Sequence, residues 1–188
     1  MNEPKDSHWL RLMGSSIGLQ WKWYTMGSKS NKIGSKFEDK VKKVCEELKR
    51  KKIALIYKVG TEWKIIRGKY GKIVNAFPMG TNFVDFVGVY KGRSISIETK
   101  TTENKTSFSL SNIQEEQYEY FKDYEMFGGL GYYIIEFREL KEVYLVESMK
   151  VEEFRINATR KSIPIAWFRE NAIQLDFDKL NFIEYIDV

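Results

Sequence analysis

Cysteine and histidine are almost absent from this 188-residue chain, which has one of each, Cys45 and His8. A single cysteine excludes an internal disulfide and a cysteine-ligated zinc cluster, and it fits a reducing, cytosolic compartment. The single histidine excludes more. Ser-His-Asp and Cys-His hydrolases need a histidine base, and His8 lies in a stretch of small and polar residues near the N-terminus. A histidine-rich zinc or iron centre cannot be assembled. Hydrolytic metal chemistry would therefore fall to carboxylates and a hard ion, Mg²⁺ or Mn²⁺. Long apolar runs are missing too. The longest, Ile53 to Tyr57, has five residues, where a membrane span takes about 20. The N-terminus has neither the apolar core nor the small-residue cleavage site of a signal peptide. No membrane partner is expected.

Charged residues make up 30% of the chain and aromatics 15%, enough to build a core within one compact domain. The charge is unevenly spread. Residues 1–72 carry 18 Lys and Arg against 7 Asp and Glu, whereas residues 73–188 carry 13 against 19. The basic half also holds Trp9, Trp21, Trp23 and Trp63. Cations interleaved with aromatics suit a phosphate backbone and exposed bases. The plainer alternative is the solvated basic surface of an ordinary enzyme.

Residues 1–34 read as a flexible basic arm broken by Gly14-Ser15-Ser16 and Gly27-Ser28, and residues 35–188 as a single domain. An amphipathic helix is predicted over 36–50. Ser35 and Glu38 have capping-box spacing, and Glu38, Val41, Cys45 and Leu48 form one stripe. Cys45 in that stripe reads as a packed thiol. Ile53–Val59 reads as a buried strand. Residues 60–80 read as an excursion, a hairpin carrying Lys64, Arg67, Lys69 and Lys72 around the turn Gly68-Lys69-Tyr70-Gly71. Strands follow at 83–90 and 93–100. A second helix is expected over 111–127, with Ser111 to Gln114 as its capping box and Ile113, Gln117, Tyr120, Phe121 and Tyr124 facing inward. Strands at 131–137 and 142–147 come next, then a helix from Pro164, an alternating stretch near 172–177 and a short C-terminal element.

The chemistry emerges at the hairpin between 83–90 and 93–100. A two-residue loop at Lys91-Gly92 pairs Tyr90 with Arg93 and, by the same register, Asp85 with Glu98. Facing carboxylates repel, and a divalent cation between them is the simple compensation. Ser94, Ser96 and Lys100 share the Glu98 face, while Ile95 and Ile97 point the other way. The competing reading is a solvent-exposed sheet face bearing an ion-pair cluster. Glu38 carries a charge on an apolar stripe and reads equally as cap or as site residue. Gln117 reads equally as a buried core amide or as a site residue.

Asp85 followed by Glu98-Thr99-Lys100 matches the signature of PD-(D/E)xK nucleases, and the surrounding residues narrow the likeness. The run from Thr81 to Arg93, Glu98-Thr99-Lys100-Thr101-Thr102 and Asn104-Lys105-Thr106-Ser107-Phe108 resembles the RecU-type Holliday junction resolvases. So do Gly34 with Phe37-Glu38, Gln117 on its helix, and Arg160-Lys161-Ser162-Ile163. The resemblance covers about residues 31–188. It departs before Glu38 and in the shorter excursion at 60–80, and it does not extend to residues 1–30; such divergence suits a phage-encoded member.

The resemblance implies an α/β fold of the restriction-endonuclease type, with a central mixed sheet flanked by helices and the 60–80 hairpin as a protruding stalk that enters the junction centre. It implies a cytoplasmic homodimer that resolves four-way DNA junctions by symmetric, Mg²⁺-dependent cleavage in recombination and repair, with Mn²⁺ able to substitute. Asp85, Glu98 and the Thr99 carbonyl would hold metal, with Glu38 joining directly or through water. Lys100 would position or deprotonate the attacking water, and Gln117 would orient Lys100 or the water. Lys32, Lys36, Lys64, Arg67, Lys69, Lys72 and Lys105 would contact DNA. The alternatives are another PD-(D/E)xK endonuclease, of restriction or repair type, and a junction-binding protein without catalysis.

Overall fold

The computed structural model describes residues 28–60, 63–78 and 83–187, with no side-chain placement for residues 28–33, 35, 63, 77 and 78. The chain divides into two units, Met1–Lys36 and Phe37–Val188. Of the first, only the opening turns of a helix fall among the described residues.

That helix, α1, spans Ser28–Arg50 and so begins seven residues before Ser35. Two expectations change. Residues 28–34 are helical rather than part of a flexible arm, and the rest of the proposed arm lies outside the described residues. Ser35 is an interior position, so the Ser35–Glu38 capping box does not exist and Glu38 needs another explanation. The apolar stripe stands: Phe37, Val41, Cys45 and Leu48 are all buried. Burying each such side chain contributes roughly 1.5–3 kcal/mol. The helix stops through a reciprocal pair of backbone bonds, Ile53 N–H to Leu48 O and Lys52 N–H to Lys49 O. This arrangement needs a left-handed residue, which is Lys52 at φ 58°.

Six strands form the central sheet, in the order β1 (Ala54–Lys58), β4 (Phe86–Tyr90), β5 (Arg93–Thr102), β7 (Leu130–Phe137), β8 (Glu142–Glu147) and β10 (Ile173–Leu175). Only β5 and β7 run parallel, so the sheet is mixed. The stripe of α1 covers one face, packing on Ile56, Phe86, Ile95, Ile97 and Ile134 together with the C-terminal Leu180, Phe182 and Ile183. The other face is covered by α2 (Glu115–Met126), α3 (Ser148–Asn157) and α4 (Ile165–Asn171), through Phe121, Tyr133, Ile135, Phe137, Val151 and Phe168. Strand β7 is buried on both faces, as a central strand between two helical layers must be. The expected α/β architecture is present.

Several boundaries differ from expectation. Strand β1 is buried on one face only; it is an edge strand in which Ala54 and Ile56 are buried while Leu55 and Tyr57 are 46% and 51% exposed. An apolar run alone cannot distinguish a half-covered edge from a central strand. Helix α2 starts at Glu115, behind a short 3-10 turn at Leu110–Asn112, so the box at Ser111 is displaced by three residues. Helix α3 has no counterpart among the expected elements: its apolar residues make no clear stripe, and only Ser148 and Val151 are buried.

Strands β2 (Trp63–Arg67) and β3 (Ile73–Pro78) form a two-stranded sheet of their own, with a bulge opposite Ile66 and Arg67. This is the expected hairpin. Lys64 to Arg67 and Lys69 to Val74 are exposed throughout. A second small sheet pairs β6 (Ser107–Ser109) with β9 (Ser162–Pro164). It joins the two distant segments, 104–108 and 160–163, that carried part of the family resemblance.

Candidate active site

The β4–β5 turn forms as the register required. Lys91 and Gly92 both have positive φ, 45° and 82°, a tight turn whose twist suits a hairpin. Tyr90 pairs with Arg93, and the ladder continues to Phe86 opposite Ile97. There it ends. Asp85 is in a bend, one residue beyond the last pair, so it is not the flat cross-strand partner of Glu98 that the register alone implied. Its backbone carbonyl accepts from Val59 N–H at 2.7 Å. Its side chain turns to Thr99, accepting from the backbone N–H at 2.9 Å and from the hydroxyl at 2.5 Å, both on Oδ2.

Glu98 is buried, 5% exposed, on the face covered by α2. The reading of this face as an exposed ion-pair surface therefore fails. Oε1 of Glu98 accepts from Lys100 Nζ and from Gln117 Nε2, each at 2.8 Å. Gln117 is fixed from its other end as well, because its Oε1 accepts from Gln114 N–H at 3.2 Å, closing the first turn of α2. The glutamine is thus a buried, hydrogen-bonded amide that caps its helix and also donates to Glu98, so the two readings offered for it, core amide and site residue, do not exclude each other.

Helix α2 is joined to β5 at three successive levels. Gln117 bonds Glu98, Tyr120 bonds Ser96 through the two hydroxyls at 3.1 Å, and Tyr124 shares a hydrogen bond with Ser94. Steps of three and four residues along a helix match steps of two along a strand, since both advance about 5–7 Å. Small serines on β5 leave room for the tyrosines, and the tyrosine hydroxyls satisfy the serines. Phe83, two residues before Asp85, stacks on Tyr120 with centroids 5.7 Å apart.

Electrostatics mark the two carboxylates. Burial pushes Glu98 up to about 7, with the charge of Asp85 adding to it and Lys100 and Gln117 pulling back. Burial also raises Asp85, which the Thr99 hydroxyl opposes and the charge of Glu38 reinforces. Both groups are therefore poised to gain from a nearby cation.

Glu38 lies near enough to Asp85 to act on its charge, but its carboxylate is held by Lys58 at 2.5 Å. Burial pulls Lys58 down, yet Glu38, Asp85 and Asp39 together hold it above its ordinary value. Lys58 is the residue that sequence reasoning missed. It ends β1 beside Val59, which bonds Asp85, and only the β1–β4 pairing brings it to the site. Among the described residues no three carboxylate, histidine or cysteine side chains converge as a ready-made ligand set. Asp85 and Glu98 form the pair, and Glu38 stands apart with Lys58.

The remaining predicted contacts are dispersed. Lys64, Arg67, Lys69 and Lys72 are exposed on the hairpin, where Arg67 Nη1 also donates to Gly71 O at 2.9 Å and braces the turn. Lys105 is exposed in the turn between β5 and β6, and Lys36 is exposed on α1. The side chain of Lys32 lies outside the described residues, as do those of Trp63 and Phe77.

Fold and site together define an α/β protein in which a half-buried aspartate in a bend meets a buried glutamate and a lysine on the neighbouring strand, with a helix glutamine bonded to the glutamate. The family described as Recombination protein U (RecU) matches residues 32–188, and the chain belongs to that family. A Pediococcus pentosaceus protein named Holliday junction resolvase RecU is 34% identical over 142 residues, 71% of each chain. A Staphylococcus epidermidis protein of the same name is 34% identical over 146 residues, 72% of this chain and 70% of that one. One from Lactococcus lactis is 30% identical over 163 residues, 84% and 76%. Among solved structures, an Archaeoglobus fulgidus Holliday junction resolvase, Hjc, is similar at 14% identity and a TM-score of 0.43, covering 76% of this chain and 92% of that one. That likeness is too slight to carry an argument. Among the described residues no helix is long and apolar enough to cross a membrane.

Proposed function

We propose that this protein is a structure-selective endonuclease that resolves four-way DNA junctions by Mg²⁺-dependent hydrolysis, acting as a cytoplasmic homodimer. The observation that carries the reading is the half-buried Asp85 beside the buried Glu98, with Lys100 at 2.8 Å from Glu98, in a chain whose family relatives are named for this activity. The residues fit a hard cation. Each carboxylate has one oxygen engaged by protein donors, Asp85 Oδ2 and Glu98 Oε1. The other oxygens, Oδ1 and Oε2, take no hydrogen bond among the described residues. Mg²⁺ is commonly held through one or two carboxylates with waters completing its shell.

Asp85 and Glu98 would hold the ion, with the Thr99 backbone carbonyl as a third oxygen and Glu38 acting through water. The ion, when bound, supplies a lowered water pKa and neutralises charge on the phosphate. Lys100 positions or deprotonates the attacking water and offsets phosphate charge. Gln117, fixed at both ends of its amide, keeps Glu98 and Lys100 in register. Lys58 supplies a second cation beside the site while neutralising Glu38. The hairpin lysines and Arg67 present positive charge on a slender two-stranded element suited to the open centre of a junction.

A second copy is supported by an apolar strip on β1 and β4, on the Glu98 face of the sheet, where the side chains are left exposed. Leu55 pairs with Val89 and Tyr57 with Val87, and all four side chains are exposed. A homodimer would place two sites in symmetric register on one junction.

The test is incubation with a synthetic four-way junction and with linear duplex of matched sequence, in Mg²⁺ and in EDTA. Symmetric nicking of the junction alone, abolished by EDTA, is expected. Sequence-specific cutting of the duplex would instead indicate a restriction- or repair-type enzyme, and junction binding without cutting a non-catalytic protein.

A further inference from the structure

Thr99 lies between Glu98 and Lys100, and the proposed chemistry uses only its backbone carbonyl. Its side chain is buried, with the residue 8% exposed. Inside a strand a β-branched residue is expected for packing alone, and valine would serve there as well as threonine. Yet the Thr99 hydroxyl donates to Asp85 Oδ2 at 2.5 Å, onto the oxygen that already accepts the Thr99 backbone N–H at 2.9 Å.

This double contact matters because of where Asp85 sits. Phe86 opposite Ile97 is the last pair of the β4–β5 ladder, so sheet register does not orient Asp85. The backbone is tied to Val59, but nothing in that bond turns the carboxylate. The Thr99 donors are what fix it, and they do so asymmetrically. One oxygen is engaged twice, while Oδ1 takes no hydrogen bond among the described residues. The backbone N–H would be present with any residue at position 99. The hydroxyl is the part that depends on threonine.

We propose that the Thr99 hydroxyl is a positioning group that holds the Asp85 carboxylate with Oδ1 presented to a divalent cation. The proposal rests on the reading that Asp85 and Glu98 bind that cation. It predicts a contribution to metal affinity, since a group that orients a ligand without touching the metal commonly changes affinity by about 10-fold or more. With the backbone N–H still in place, the lower end of that range applies.

The test uses Thr99→Val, which keeps branching and volume and loses the donor, and Thr99→Ser, which keeps the donor and loses the methyl. Mn²⁺ binding to the DNA-free protein is measured by titration calorimetry, beside the Mg²⁺ dependence of junction cutting. Thr99→Val should weaken Mn²⁺ binding roughly 10-fold and shift half-maximal cutting to higher Mg²⁺ by a similar factor. Cutting at saturating Mg²⁺ should recover, and Thr99→Ser should restore most of the affinity. Wild-type affinity in Thr99→Val overturns the proposal while leaving the metal reading intact. Equal impairment of Val and Ser overturns it too, by assigning the effect to packing. If wild type binds no Mn²⁺, the metal reading fails and the proposal falls with it. Thr99→Ala against Thr99→Ser provides the same comparison if valine does not fold.

Discussion

Replacing Glu98 by glutamine should make the metal-free protein more stable, by an amount that depends on pH. Glu98 is 5% exposed, and its carboxyl is pushed up to about 7 by burial and by Asp85, against an ordinary value of 4.5. The folded value lies above the unfolded one. Between them the native state holds a proton that the unfolded chain has lost, so stability falls as pH rises from about 4.5 to about 7. At 1.36 kcal/mol per pKa unit the penalty at pH 8 is about 3 kcal/mol. Glutamine cannot ionise, and its amide oxygen can still accept from Lys100 and Gln117. Glu98→Gln should therefore match wild type near pH 4.5 and exceed it by up to about 3 kcal/mol at pH 8. For a chain of this size that is roughly 6–12 °C in Tm. Calorimetry in EDTA from pH 4.5 to 8.5 measures both curves. Added Mg²⁺ should narrow the gap by stabilising wild type and not the variant. A variant less stable than wild type at pH 8, or a difference that does not change with pH, would refute the reasoning and make Glu98 a structural ion-pair partner of Lys100.

Other outcomes follow from the same geometry. Asp85→Asn and Glu98→Gln should each abolish cutting and leave junction binding near wild type in a gel-shift assay, because each removes one ligand charge; persistent cleavage in both would sink the site. Asp85→Asn should also move the Glu98 titration below about 7, read by NMR of the carboxyl carbon, since Asp85 contributes to raising it. Glu38 does not cap its helix, so Glu38→Gln should fold normally and cut poorly; wild-type turnover would reduce the Glu38–Lys58 pair to a structural contact. Neutralising Arg67, Lys69 and Lys72 together should weaken junction binding more than duplex binding. The salt slope should become shallower by about 0.9 per lost phosphate contact, whereas dissociation of the dimer in sedimentation would show that the hairpin holds subunits together.

How much of this was legible in the residues depends on how locally each feature is decided. The β4–β5 register followed from a two-residue turn, because Lys91-Gly92 can close a hairpin in few ways and every later pair inherits that closure. The common face of Ser94, Ser96, Glu98 and Lys100 followed from the period of two along a strand. The inward position of Gln117 followed from helical spacing. That the chain holds a single histidine and a single cysteine was a matter of counting. These are the parts of the site that short-range geometry specifies, and the sequence by itself determined them.

Features set by distant partners were not legible. The β4–β5 ladder ends at Phe86, where Val59, just past the end of β1, takes the Asp85 backbone carbonyl, and the Thr99 N–H and hydroxyl turn the Asp85 carboxylate. Spacing made Glu38 look like a cap, but α1 runs seven residues further back, and an ion pair with Lys58 at the end of β1 engages its charge instead. Ile53–Val59 read as buried, yet its place at the sheet edge leaves Leu55 and Tyr57 in the open. The parallel pairing of β5 with β7, which sets Glu98 beside Tyr133, depends on the whole crossover through α2. In each case the decision belongs to residues far apart in the chain. Turn chemistry and side-chain period constrain neighbours along the backbone, whereas which strands meet, where a ladder stops and which cation reaches a carboxylate are settled only when the layers pack.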